Sequence, residues 1–370
     1  MFERIKDKLK IKLRLLSQMG NTSIEIMLPD CIKEFDDLKD YRAIVSDISC
    51  VQVDKQEQYS WVGGAFVDEL FISVPNGSSR FLVEENGEVD YIGEVQKQPF
   101  QWTGGGLYNG LFYCFPRSSN SLLYLNVKER EFGKVDLGLA FEGEHHYGGV
   151  ITPEGWLYQP PRNCDFILKV DLNTYRTKKI PLCNWIRLKN YRYCGSILHP
   201  NGLIYFLPET GQKVICLDPT TDKISYLKGN VSGMVFDAKV LGDGCIYGFS
   251  AYGKGILKVD PFKASSGMIH SDREFGCYGT KLGPNGKLYG IPGNGDDIWE
   301  YDALVDQIRS IGKMPNLGVK AKCAGGATSK NGDIYGVPAF GNYLLKIHFE
   351  HQKDFVIDSN LYNKFFRDFY

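Results

Sequence analysis

The sequence has almost no net charge, with 43 Lys and Arg against 44 Asp and Glu in 370 residues. Binding to a phosphate backbone draws on a basic excess, so no nucleic-acid partner is expected. There is no C-x-x-C pair: ten cysteines stand singly from Cys31 to Cys323, none grouped with histidine. That is not a metal-ligand pattern, and neither a metal nor a cofactor is expected. Cys114, Cys216 and Cys245 sit in apolar runs, where a reduced thiol behaves as a small buried hydrophobe. A reducing compartment, the cytoplasm, is the expected home. Long apolar runs are missing too. The opening MFERIKDKLKIKLRLL interleaves charge with its apolar residues, so it reads as neither a signal peptide nor a transmembrane segment. Nothing marks a nucleophile, so no Ser-His-Asp arrangement can be inferred.

What the chain does have is aromatics, glycine and an internal repeat. Tyr and Phe number 22 each and Gly 41, a balance that favours many short strands joined by tight turns. PNGKLYGIP (284–292), NGDIYGVP (331–338) and PNGLIYFLP (200–208) share a turn signal, an alternating strand with Tyr, and Pro three residues later. The unit recurs at Tyr113/Pro116, Tyr158/Pro161, Tyr205/Pro208, Tyr289/Pro292 and Tyr335/Pro338, with degenerate copies at Ile72/Pro75 and Tyr247/Ser250. Consecutive copies lie 41 to 47 residues apart, the period of propeller blades.

Upstream of each copy is a small-residue step: Gly63-Gly64, Gly104-Gly105, Gly148-Gly149, Gly195-Ser196, Asp237-Ala238 (the exception), Gly279-Thr280 and Gly325-Gly326. Downstream come a strand such as ILKVD (167–171) and a last strand such as KISYL (223–227). Four strands per unit predict an all-β, seven-bladed β-propeller of four-stranded antiparallel blades. The step belongs on the innermost strand, where a Cβ would clash, and the Asn-Gly and Asp-Gly pairs supply hairpin turns. These residues specify fold.

Residues 59–358 form the propeller in this reading, preceded by an extension (1–58) and followed by an aromatic tail (359–370). Phe2, Ile5, Leu9, Leu13 and Leu16 fall at helical spacing with a basic face, although KLKIKLRL also alternates as a strand would. Residues 1–16 therefore either pack across the propeller or touch a partner or a membrane surface. Both AIVSDISCVQV (43–53) and FVID (355–358) are candidates for the strand that closes the ring. GFSAYGKG (248–255) mimics a phosphate loop, but it ends in Gly instead of Ser or Thr and reads as a hairpin.

With PNGxxYxxP and the following LKVDP-type turn laid out, the chain resembles the superfamily of streptogramin lyases, NHL-repeat proteins and gluconolactonase-type propellers. The resemblance spans roughly residues 59–358 and implies the fold. In the lyases the strand equivalent to LYGIP typically ends in Trp-Phe-Thr-Glu, with Glu and His positions that carry metal and catalysis. Pro holds that place here in almost every blade, so the resemblance carries no lyase site over.

Candidate functional residues come from aligning the blades on the step. The third residue before it is Ser60, Gln101, His145, Arg192, Met234, Gly276 and Lys322; the second is Trp61, Trp102, His146, Tyr193, Val235, Cys277 and Cys323. The expected ligand-binding set is Trp61, Trp102, His145, His146, Arg192, Tyr193 and Lys322, with Asp237, Lys239 and Lys281 nearby. Aromatics beside Arg and Lys suit a protein, a peptide, a sugar or an anionic small molecule at the funnel. The favoured function is a non-catalytic binding or protein-interaction module. The alternative is a lyase or lactonase-type hydrolase using Glu144, His145, His146 and Arg192, in which Glu-x-His furnishes either two metal ligands or an acid/base pair.

Overall fold

A computed structural model describes residues 43–53, 60–95, 98–182, 193–209, 212–315 and 317–351. Its strands form seven four-stranded antiparallel sheets, and no helix occurs among the described residues. The chain is a seven-bladed β-propeller. In blades 1 to 6 the four strands follow one another in sequence, the small-residue step lying on or just before the innermost. The repeat tyrosines lie on the second strands and the ILKVD-type runs on the third.

Blade 7 is composite. Three of its strands come from Cys323–His351, and the outermost is Ala43–Gln52. That strand pairs with Tyr343–His351 from Ala43↔His351 to Gln52↔Tyr343, with a bulge between Val45 and Asp47. Residues from opposite ends of the chain thus close the ring and cover the edge that an open sheet would expose. FVID (355–358), Arg192, the 1–16 segment and the aromatic tail lie outside the described residues.

Both faces of each blade are packed, which is why the second strands read as continuous apolar runs; Leu70–Pro75 and Ile204–Pro208 are buried throughout. The buried side chains sort into one cluster for each of the seven seams between blades, plus one at the axis. Odd and even residues of one strand serve different seams. Phe112 and Cys114 face blade 1, while Tyr113 and Phe115 face blade 3, as a strand's alternation requires.

The repeat tyrosine pairs directly across with the third strand: Tyr158↔Lys169, Tyr247↔Lys258 and Tyr335↔Lys346. Each of these ammonium groups sits about 5 Å from its tyrosine's ring centre. Two of them also reach a carboxylate of the next blade, Lys169 to Asp222 and Lys346 to Glu84, at 2.8 and 2.7 Å.

At the axis the first residue of each step faces the inner strand of the next blade. A Cβ built on Gly63 would lie 3.0 Å from Gly104 Cα, one on Gly279 3.1 Å from Gly325 Cα, and one on Gly325 3.0 Å from Gly63 Cα. The neighbouring atoms are backbone and cannot turn aside. Gly63 and Gly325 also have φ of +73° and +74°, where an L side chain is strained. Asp237 alone carries a side chain at this collar, and its carboxylate is ion-paired with Lys281 of the next blade.

Gly63→Ala is expected to combine the left-handed penalty with a backbone clash, costing on the order of 2–4 kcal/mol. Gly87→Ala, at φ +91° in a hairpin with nothing within 4 Å of the added carbon, carries only the former, about 1 kcal/mol. Denaturant melts of the two variants measure the difference; equal losses would mean that the collar does not constrain the ring.

Candidate functional site

The connections between blades and the turns between second and third strands share one face, and backbone hydrogen bonds stitch it together. In blades 1, 2, 3 and 7 the third residue before the step donates its N–H backward and accepts forward. Ser60 N–H bonds to Ala339 O of blade 7 at 2.9 Å, while Ser60 O accepts from Asn76, Gly77 and Ser78 of its own blade. Gln101, His145 and Lys322 repeat the pattern. These positions seal seams, and the side chains of Ser60, Gln101, His145 and Lys322 are buried.

The second residue before the step is a wedge between blades. Trp61, Trp102, His146, Tyr193, Val235, Cys277 and Cys323 are all at most 1% exposed. The indole N–H of Trp61 donates to Arg80 O at 2.7 Å and that of Trp102 to Ser121 O at 2.9 Å, while the Tyr193 hydroxyl donates to Lys213 O. Each polar tip is thereby satisfied inside a seam. These rings offer no platform at the mouth of the funnel.

Other members of the expected set are similarly dispersed. Lys322 pairs with Asp296 at 2.8 Å on the stitched face. Asp237 stands at the collar, and Lys239 and Lys281 lie two residues further along their inner strands, toward the opposite face. Burial alone would raise the Asp237 carboxyl, but Lys281 and Lys239 outweigh it and hold it below the ordinary carboxylate range. The structure thus spreads the expected residues over seams, collar and both ends of the axis.

His145 and His146 bond to each other, Nδ1 to Nδ1 at 2.8 Å, in the seam between blades 2 and 3. Phe141 packs on His145 at 4.3 Å, and Phe166 lies 5.4 Å from His146. Cys164 Sγ is 3.5 Å from His146 Nε2. Burial drives His145 down to about 4, against an opposing backbone hydrogen bond from the ring to Ser119. Burial, reinforced by the neighbouring imidazole, drives His146 down to about 3. Both rings are neutral at pH 7.

The axis on the stitched face is built by the residue directly before each step: Val62, Thr103, Tyr147, Cys194, Phe236, Tyr278 and Ala324. In blades 1, 2, 4, 6 and 7 a register shift spans this position, as between Trp61 and Gly64 or Cys277 and Gly279, breaking the alternation and turning the residue to the axis. All but Thr103 belong to the axial apolar cluster, and the Thr103 hydroxyl bonds Tyr147. Tyr147, Phe236 and Tyr278 form a chain of rings, 5.4 and 5.0 Å between centres. Tyr147 and Phe236 stay partly exposed.

Around this floor stands the residue that follows each repeat proline: Asn76, Arg117, Arg162 and Glu209 in blades 1 to 4, but Ala251, Gly293 and Ala339 in blades 5 to 7. The Arg117 guanidinium lies 4.5 Å from the Phe100 ring and 4.9 Å from Tyr147, and Arg162 also lies 4.9 Å from Tyr147. Glu144 bridges the two, 2.7 Å from Arg117 and 3.0 Å from Arg162, and Glu209 is 3.9 Å from Arg162. At this position blades 2 to 4 carry a balanced ionic network and blades 5 to 7 carry small residues. Glu144 is thus the one member of the Glu-His-His set at the funnel; its side chain keeps 27% exposure, against 0% for His146.

No group of three or more potential metal ligands occurs among the described residues. None of their helices is long and apolar enough to cross a membrane. No family model and no curated protein matches the chain. Among solved structures it is similar to a streptogramin B lyase, with TM-score 0.69 and 12% identity over 82% of this chain and 98% of that one. It is equally similar to a catalytically inactive virginiamycin B lyase from Staphylococcus aureus with quinupristin, at 10% identity, 81% and 98% coverage and TM-score 0.69. The WD40 β-propeller domain of Doa1 gives TM-score 0.60 and 12% identity over 83% and 98%. At such identities the likeness is one of fold, and it is shared by enzymes and a WD40 domain alike.

Because both imidazoles are neutral when folded and take up protons near pH 6.5 when unfolded, acid favours unfolding. Their contribution is complete above about pH 6.5 and is lost as pH falls toward 4 and 3. Each can add up to about 1.4 kcal/mol of destabilisation per pH unit in that window. Thermal melts between pH 7.5 and 4.5 should show a shallower acid slope for His146→Gln; an unchanged slope would mean that the pair is already charged in the native state.

Proposed function

We propose that the chain is a binding or interaction module that holds its ligand on the funnel face and performs no catalysis of its own. What carries this reading is the balance of charge around a partly exposed aromatic floor. Arg117 and Arg162 share Glu144, Glu209 stands by Arg162, and Lys322 is paired with Asp296. Ions already neutralised by one another give little return for desolvating a charged ligand. The site favours a neutral group, such as a peptide segment or an uncharged sugar, that lays an apolar face on Phe236 and a hydrogen-bonding edge toward blades 2 to 4. Acid-base chemistry needs a proton carrier open to substrate, whereas His146 is sealed and Glu144 is engaged by two guanidinium groups. Placement in the cytoplasm belongs to the same proposal. It is supported by buried thiols such as Cys114 and Cys323, which burial pushes above the ordinary range.

Peptide arrays and neutral-glycan arrays probed with the wild-type protein, Phe236→Ala and Tyr252→Ala test it. Tyr252 is a half-exposed rim residue, so its truncation leaves the core intact. Loss of an aromatic anchor is worth about 2 kcal/mol, so at least tenfold weaker binding is expected. Binding that ignores both substitutions would overturn the funnel reading. Turnover of a lactone probe, abolished by Glu144→Gln, would favour the hydrolase instead.

A further inference from the structure

The face opposite the funnel carries the turns between first and second and between third and fourth strands. Most of the large apolar side chains left half-exposed gather on it: Leu107, Phe262, Leu304 and Val305, at 45, 49, 45 and 67%. Three of these belong to the neighbouring blades 5 and 6. In blade 6 the turn reads Asp302-Ala303-Leu304-Val305-Asp306, an apolar triplet framed by two carboxylates; Asp302 already pairs with Lys287 at 3.4 Å, and Asp306 accepts from the Tyr301 hydroxyl at 3.0 Å. Ala303 continues the triplet into the seam cluster with Leu241 and Cys245. Large apolar side chains exposed on neighbouring blades of one face mark a contact surface.

Both ends of the described chain leave on this same face, one blade away. Ala43 pairs with His351 and packs in the seam between blades 6 and 7, its carbonyl accepting from Asn285 Nδ2 of blade 6 at 3.2 Å. Beyond Ala43 lie residues 1–42, outside the described structure. Their first sixteen carry the stripe Phe2, Ile5, Leu9, Leu13 and Leu16 beside six basic residues and only two acidic ones. The sequence between Leu16 and Ala43 is long enough to reach the next blade, since an extended chain advances roughly 3.3 Å per residue. A tethered segment meets a nearby surface at an effective concentration in the millimolar range, so even a weak apolar contact is populated.

We infer that residues 1–16 dock on the face opposite the funnel, setting their apolar stripe on Leu304, Val305 and Phe262 and their cations toward Asp302 and Asp306. Two independent features select this occupant: the exit of the chain on that face and the matching apolar stripe. The surface is separate from the funnel, so it does not depend on any ligand held there. Occupied in this way, the basic segment is masked from anionic surfaces.

Zero-length carbodiimide cross-linking of the full chain at low micromolar concentration, read by mass spectrometry, tests it. Links are expected from Lys6, Lys8, Lys10 or Lys12 to Asp302 or Asp306 within one copy. The pair Leu304→Ser and Val305→Ser should reduce them at least fivefold, as should Leu9→Ser with Leu13→Ser, a change outside the propeller that leaves its fold untouched. Links to the funnel face, links only between copies, or links unaffected by both pairs of substitutions would each overturn the proposal. So would wild-type sedimentation with phosphatidylserine vesicles as complete as that of the Leu304/Val305 variant.

Discussion

Seven strands can meet around one axis only where almost nothing protrudes between them. The collar of step residues meets that condition with backbone alone at six of its seven positions, Gly63, Gly104, Gly148, Gly195, Gly279 and Gly325. The approach is so close that a single methyl group on Gly63 would press on the Cα of Gly104. Asp237 shows what the exception, blade 5, needs instead: a side chain at the collar is accommodated because Lys281 neutralises it from the next blade. A buried pair of this kind fixes geometry more than it stabilises, since its desolvation offsets much of its Coulomb attraction.

From that collar the roles of the flanking residues follow by position. Inner strands held in contact leave wedge-shaped seams, and the second residue before the step fills each with whatever its neighbours allow, from Trp61 and Trp102 to Val235 and Cys277. In blades 1, 2, 3 and 7 the third residue binds consecutive blades through its backbone, so its side chain is free to vary from Ser60 to Lys322 without loosening the ring. Variation at a site usually suggests function. Here it reflects a backbone role that is indifferent to side-chain identity.

The funnel floor inherits its chemistry from the same geometry. Tyr147, Phe236 and Tyr278 meet at the axis, Tyr278 turned there by a bulge beside the collar, and the residues after the repeat prolines set polar side chains in blades 1 to 4 against small ones in blades 5 to 7. Fold likeness alone is divided between lyases and a WD40 domain, so function has to be argued from these side chains. A network in which each guanidinium has a carboxylate partner is suited to orienting a neutral ligand, with specificity coming from hydrogen-bond geometry instead of net charge.

The sequence by itself determined the blade count, the strand order and the turns, because a repeat writes the same local physics seven times. Asn285-Gly286, the Tyr289–Pro292 strand and the Gly279 step each announce a local conformation. It also held a signal that alignment on the step alone did not expose: the residue after each proline changes from Asn76, Arg117, Arg162 and Glu209 to Ala251, Gly293 and Ala339. What only the tertiary structure decided was direction. A strand's alternation assigns side chains to two faces, but a bulge shifts that assignment by one residue. Trp61 and Trp102 therefore went into seams, and their neighbours Val62 and Thr103 went to the axis. Ring closure by Ala43–Gln52 was likewise settled in space, because pairing between the two ends of a chain leaves no local mark in either.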